Sequence, residues 1–383
     1  MDKKTVSEVV HQMEKIEVKQ MKKYMRTGLT AIAMLLGTSV LAGQALAQQA
    51  APAAAPGAAR AAGGGRAPAG PIVPGQCPAN VARPVGGNGA GTAAKRVLAW
   101  ADSRNGVAQH EYVTYALAQL QKMGHDSKAY DMIIRTDSDI ISFNPTMTDG
   151  KTPASGGPSL CNIDAIVFAG HRKQPLDAQQ QKDLIAAIHD RGVGFVTLFI
   201  GMLPAGDGFP EMGNILGEKP ASVDVHDPFP AAPIVNEDPN SPMTKHLPKV
   251  WNLVGQAAAV YQPDFYNRGD IHVLLRKDIS KLAPVANYTR ADGDYPVAWI
   301  KNYGKGKVFV SSIGNDEPSW DNKDLLTMYD QAIKWSVGLI NYDVKPHPLP
   351  ADVKPPQGKP DPNAPAGRGG RGAGRGAPPA AGN

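Results

Sequence analysis

The chain has 383 residues, a formal net charge of +5 and two cysteines. That length suits one large domain or two ordinary ones, and two isolated cysteines are too few for a thiolate zinc centre. Part of the positive excess lies in the two ends, so a pI near 9.0 makes no case for a nucleic-acid partner, and none is expected.

Residues 1–20 are too polar for a leader; they extend it, or Met21 is the natural start. From Met21 to Ala47 the sequence has the three parts of an export signal. Lys22, Lys23 and Arg26 form a basic start, Leu29–Leu41 a short apolar stretch, and Ala45-Leu46-Ala47 a small-x-small cleavage site. Thr30, Gly37, Thr38 and Ser39 interrupt the apolar stretch, which argues against an anchor. Cleavage near Ala47 and a periplasmic or secreted protein are therefore expected, with no stable membrane insertion afterwards. Residues 48–93 and 345–383 are dominated by Ala, Pro, Gly and Arg. They lack the large apolar side chains that offset chain entropy and are expected to be disordered. Arg368, Arg371 and Arg375 sit among glycines in the tail; such segments can bind RNA, but a solvated tail is the simpler reading. The foldable core is residues 94–344.

Its first half alternates strands and helices. Lys95–Ala101 reads as a strand. Val113, Ala116, Leu117 and Leu120 have helical spacing, with Gly124 as the expected stop. "DSKAYDMI" is a weak second strand. Asp164–Gly170 is a continuous apolar run, as in a strand covered on both faces. A helix follows, with Asp177 as N-cap and Gly192 as stop, and then a buried strand over Val193–Gly201. This order predicts a mainly parallel α/β sheet flanked by helices, of flavodoxin-like type. In the second half, strands are expected at Ala221–Val225, Ile271–Arg276, Pro284–Thr289, Tyr295–Ile300 and Lys307–Ile313, with a β-meander around the "NYGKG" turn. Lys323–Ile340 closes the core as an amphipathic helix.

Sites in such folds lie beyond the carboxyl ends of the strands. That points to the loops Asp102–His110, Gly170–Pro175 and Gly201–Phe209. Asp102 and His110 put a carboxylate and an imidazole there, either as an acid–base pair or only as helix caps. His171, beside Arg172 and Lys173, could hold a polar ligand or be solvated charge. His226 and Asp227 lie in a Pro-rich turn that could be a site or simply a turn. No cofactor is expected; Asp102, His110, His171 and His226 could in principle hold a divalent metal, but no close His/Cys spacing supports it. Cys77 and Cys161 could be free or could form one bridge from the N-terminal arm to the core. The strand–turn at "GVGFVTLFIG" has no Ser or Cys at its apex, and no dinucleotide or phosphate loop is present.

Several segments carry a family likeness: "NIDAIVFAG", "DRGVGFVTLF", "VHDPFP", "SPMTKHLPKVW", and above all "YPVAWIKNYGKGKVFVSSIGNDEPSW" followed by "IKWSVG". Over about Arg96–Leu339 the chain resembles the ThuA-like, or trehalose-utilisation, family, which has a class I glutamine amidotransferase-like fold. The resemblance implies the handling of a small-molecule carbohydrate, a disaccharide or an oxidised sugar. It also marks two departures: Phe199 and Asn315 stand where the family commonly has histidine. With no Cys elbow and no His after the last strand, amidotransferase activity is not expected. On this reading Asp102, His110 and Glu317 would be the catalytic groups of a sugar-processing enzyme. His171, His226, Asp227, Asn315, Asp316 and Trp320 would bind substrate, with Trp320 or Tyr266 as an aromatic platform. The alternative is a non-catalytic sugar-binding or interaction module.

Overall fold

The computed structural model describes residues 73, 75–78, 95–102, 112–147, 149–154, 157–169, 176–199, 209–219, 233–253, 265–278, 280, 292–314 and 316–354. The chain divides into two units, Met1–Ala67 and Pro68–Asn383, and every described residue lies in the second.

In chain order the elements are β1 (Lys95–Trp100), α1 (Tyr112–Ser127), β2 (Tyr130–Arg135), β3 (Ala165–Phe168), α2 (Ala178–His189), β4 (Gly194–Thr197), α3 (Glu211–Leu216) and β5 (Glu218–Lys219). There follow β6 (Ile234–Asn236), β7 (Val250–Trp251), β8 (Phe265–Tyr266), β9 (His272–Lys277), β10 (Pro296–Tyr303), β11 (Gly306–Ser311), a 3-10 helix (Glu317–Asp321) and α4 (Lys323–Ser336). A nine-stranded sheet has the order β2-β1-β3-β4-β11-β10-β9-β6-β7. The run β2-β1-β3-β4-β11 is parallel. The remaining strands join antiparallel. The fold is thus the expected α/β type with a mostly parallel half and an added meander.

Local chemistry explains the elements. All four residues of β3 and of β4 are buried. Successive side chains point to opposite faces, so both faces of these strands are covered. Asp177 caps α2 through the amides of Gln179 and Gln180, and the Gln180 side chain returns the bond in a capping box. Gly192 follows at φ +79°, as a helix stop requires. The turn between β10 and β11 has Gly304 at φ +57°, where an added Cβ would lie 2.4 Å from the His189 carbonyl oxygen.

Three expectations are corrected. Gly124 does not end α1, which runs on to Ser127. Its role is close approach: a Cβ there would lie 2.2 Å from the Tyr130 ring. The last helix stops at Ser336 rather than Ile340, with Gly338 at φ +79° beyond it. β10 pairs with β9 on one side and β11 on the other. Residues 345–354 are not simply tail, because Lys345 and His347 bond to β9. The expected strands at 221–225 and 284–289 lie outside the described residues.

Cys77 and Cys161 are bridged, with a Cα–Cα distance of 5.6 Å. The arm at 73–78 is also held by the Asn144 side-chain amide, which donates to the carbonyls of Val73 and Gln76 at 3.3 and 3.0 Å.

Candidate functional site

The parallel strands reverse direction of growth at β1, which has β2 on one side and β3 on the other. That switch point is where open α/β sheets hold ligands, beyond the carboxyl ends. Asp102 lies there, two residues past β1, and is fully buried. Around it the strand ends stay knitted beyond the ladder. The Ala101 amide donates to the Arg135 carbonyl at 2.9 Å, and the Ala169 amide to the Trp100 carbonyl at 3.0 Å. The Trp100 indole donates to Ser138 Oγ at 3.0 Å, and its ring lies 4.6 Å from that of Phe168.

The next positions along the edge are Thr197, Phe199 and the end of β11. Phe199 is buried and takes φ +26°, a left-handed conformation that is costly for a residue with a Cβ. The position just past a central strand is thus a sharp turn, occupied by an inert ring. The Ser311 amide donates to Thr197 Oγ1 at 3.2 Å, and the Ile313 amide to Ser311 Oγ at 3.2 Å.

Under this edge runs a column of rings. Phe199 meets Tyr112 edge-on at 5.8 Å. Tyr112 stacks on Trp320 at 6.2 Å, and Trp320 on Tyr329 at 5.0 Å. The Trp320 indole donates to the Gly314 carbonyl at 3.1 Å, and the Tyr329 hydroxyl to the Ile313 carbonyl at 2.6 Å. Burial pushes the Tyr329 hydroxyl above its ordinary range. This places Trp320 at 0 % exposure, inside the core. It supports the edge from below and offers no open face to a sugar.

The shelf after β11 divides by residue. Asp316 caps the 3-10 helix, accepting from the Ser319 amide at 3.1 Å and from the Ser319 hydroxyl. Glu317 follows in the first turn and is exposed. Nearby, the exposed pair of Tyr115 and Asp321 shares a hydrogen bond, with Gln119 donating to the Tyr115 oxygen at 3.0 Å. The bond to Asp321 raises the Tyr115 hydroxyl. Of the sequence-predicted residues, the structure therefore brings Asp102, Asp316, Glu317 and Trp320 to one edge. His110, His171, His226, Asp227 and Asn315 lie outside the described residues. Tyr266 lies in β8, paired through its backbone with Glu218.

A second polar cluster had no signature in the sequence. Arg268 clamps Glu237 at 3.0 and 3.2 Å and Asp294 at 2.6 and 2.9 Å, while Arg276 reaches Glu237 at 2.7 Å. Burial, then the Glu237 charge, push Asp294 up to about 7, and the Arg268 clamp pulls the other way. Beside it, His272 meets Asp238 at 2.8 Å and the Lys345 carbonyl at 2.6 Å. Burial alone would raise Asp238; hydrogen bonds from Tyr342, His272 and the Asn240 amide outweigh it and hold the carboxyl below its ordinary value. The arginines and their carboxylates are 26 to 39 residues apart, a spacing no local motif reports. Among the described residues, no three His, Cys, Asp or Glu side chains are placed to hold a metal ion.

The family model of ThuA, described as trehalose utilisation, matches residues 96–336. The chain belongs to the ThuA family. No curated protein matches it. Among solved structures, a ThuA-like protein from Bacteroides uniformis shares 16% identity, with 68% of this chain and 95% of that one covered and a TM-score of 0.49. A ThuA-like protein from Parabacteroides merdae shares 13% identity, covering 68% of this chain and 94% of that one, at a TM-score of 0.44. A β-galactosidase from Bacillus circulans shares 13% identity over 64% of this chain and 30% of that one, at 0.36. Within the family, this member has both of its cysteines in the disulfide, so it has no thiol nucleophile.

Proposed function

We propose that this ThuA-family protein is exported and handles a small carbohydrate, a disaccharide or an oxidised sugar, at the carboxyl edge of its sheet. The observation that carries this is Asp102, a buried carboxylate at the switch point of a trehalose-utilisation fold. In the processing form, Asp102 and His110 handle the proton and Glu317 supplies a second carboxylate. Sugar sites use such pairs because one group protonates the leaving oxygen while the other assists attack. His171, His226, Asp227 and Asn315 would grip hydroxyls around that centre.

The second reading is a module that binds sugar without turning it over. Specific features favour it. Asp316 is engaged in capping its own helix, Phe199 fills the sharp turn, and Asn315 is an amide, which does not shuttle protons near neutral pH. No cofactor enters either reading. Among the described residues no helix is long and apolar enough to cross a membrane.

The experiment is a calorimetric titration of the mature protein with a panel of disaccharides and their keto forms, followed by product analysis. Saturable binding that weakens at least tenfold in Asp102→Asn and in His110→Ala supports the site. Product formation selects processing, and binding without product selects the module. No binding at millimolar sugar, or binding indifferent to both substitutions, ends the proposal.

A further inference from the structure

The opposite edge of the sheet has its own cavity. It measures about 250 Å³ and lies at the amino ends of the parallel strands. Lys95 opens β1, Asp164 stands just before β3, Gly192 and Val193 precede β4, and Lys305 and Lys307 flank the first residue of β11. Arg191, just past α2, and Ser336 to Gly338, at the end of α4, close the sides. It lies far along every strand from Asp102 and shares no residue with the sugar site proposed above.

Its charge is lopsided. Four cations line it, Lys95, Arg191, Lys305 and Lys307, against the single carboxylate of Asp164. Asp164 is already engaged: it lies 3.5 Å from the Lys95 ammonium, and its other oxygen accepts the Arg96 amide at 2.7 Å. Arg191, Lys305 and Lys307 make no ion pair among the described residues. Arg191 donates to the Cys161 carbonyl at 3.4 Å and lies over the Phe143 ring. Lys307 lies over the Trp335 ring at 5.5 Å. Each of these two side chains thus has a neutral partner. The Lys307 ammonium is pushed below its ordinary value by burial, with Asp343 opposing. Two carboxylates outside the lining, Asp190 and Asp343, lie 2.7 Å from His189 and 3.6 Å from Lys345.

We infer that this amino-edge cavity binds a compact dianion of the phosphate class, free or as a monoester, between Arg191, Lys305 and Lys307. A planar guanidinium matches two phosphate oxygens, and ammonium groups supply the remaining charge. A single carboxylate would leave most of the positive excess uncompensated, whereas a dianion answers it. The cavity exceeds the volume of phosphate alone, so the outward side can take an attached group.

The test uses the full chain in thermal-shift and calorimetric titrations with inorganic phosphate and with glucose 6-phosphate, against chloride at equal ionic strength. Both Arg191 and Lys305 are exposed, so Arg191→Ala, Lys305→Ala and the double variant should fold with the wild-type melting temperature. The expected result is saturable binding beyond the chloride control, at least tenfold weaker in the double variant. Tighter binding of the ester assigns the site to a phosphomonoester, and equal binding assigns it to free phosphate. A response no larger than chloride gives, or one undiminished in the double variant, overturns the inference.

Discussion

Gly314 shows how closely one residue can couple backbone and packing. It takes φ +105°, and an added Cβ would lie 2.9 Å from Trp320 Cζ2. Its carbonyl also accepts the Trp320 indole proton at 3.1 Å. Gly314→Ala therefore strains the backbone and pushes on a ring stacked between Tyr112 and Tyr329. A loss of about 2–4 kcal/mol is expected, combining strain with overpacking. Thermal unfolding measures it directly; an unchanged melting temperature would mean that the column of rings can shift freely. The same residue explains a limit of the sequence. "IGNDEPSW" reads as a polar shelf because its polar residues are visible, whereas the burial of Trp320 is decided by Tyr112, far away in the chain. Asp316 likewise looks like a ligand until Ser319, three residues on, is seen to occupy it.

At the scale of elements, the parallel half was legible and the second half less so. β1, β3, β4 and α2 carry their own signals: continuous apolar runs, a capping box and a glycine stop. The short strands β6 and β7, of 3 and 2 residues, carry none. β6 exists because β9 offers it an edge, and β7 because β6 does, which is a tertiary cause. The segment after α4 is the clearest case. Composition marks its Pro-rich continuation as tail, yet four contacts fasten it. The Trp335 indole donates to the Tyr342 carbonyl at 3.0 Å, the Tyr342 hydroxyl to Asp238, and His272 and His347 bond to the Lys345 and Val273 backbones. This fastening is predicted to depend on pH. A carboxyl held below its ordinary value contributes its full stabilisation above its unfolded value near 4 and loses it as pH falls from there through the lower folded value. Tyr342→Phe removes a hydrogen bond to the ionised Asp238 and should reduce stability by about 1–2 kcal/mol at pH 6. At a second pH, below the unfolded value near 4, the gap should narrow, because protonation then removes the Asp238 contribution from both proteins. Denaturant unfolding at the two pH values checks this, and a gap independent of pH would assign the loss to packing instead.

For the whole molecule, the decisive link is the bridge between Cys77 and Cys161, 84 residues apart. Sequence alone left it open, since two cysteines in loops can be free or paired and only the fold brings them together. The bridge closes a loop that contains β1, α1 and β2, so it restrains the unfolded chain over residues 77–161. In the chain-entropy view a closure of this length contributes roughly 4–5 kcal/mol, an upper value because the denatured chain keeps some structure. It also anchors the arm at 73–78 on the outside of the parallel half, where Asn144 holds the same arm through two carbonyls. Two consequences can be separated. Cys77→Ser with Cys161→Ser should lower the melting temperature by several degrees, and the reduced wild type should match the double variant. Asn144→Ala in the oxidised protein should free the arm locally, seen as faster amide exchange at residues 73–78, with little change in global stability. If reduction leaves the melting temperature where it was, the bridge only tethers the arm, and the stability of the core rests on the sheet and its rings alone.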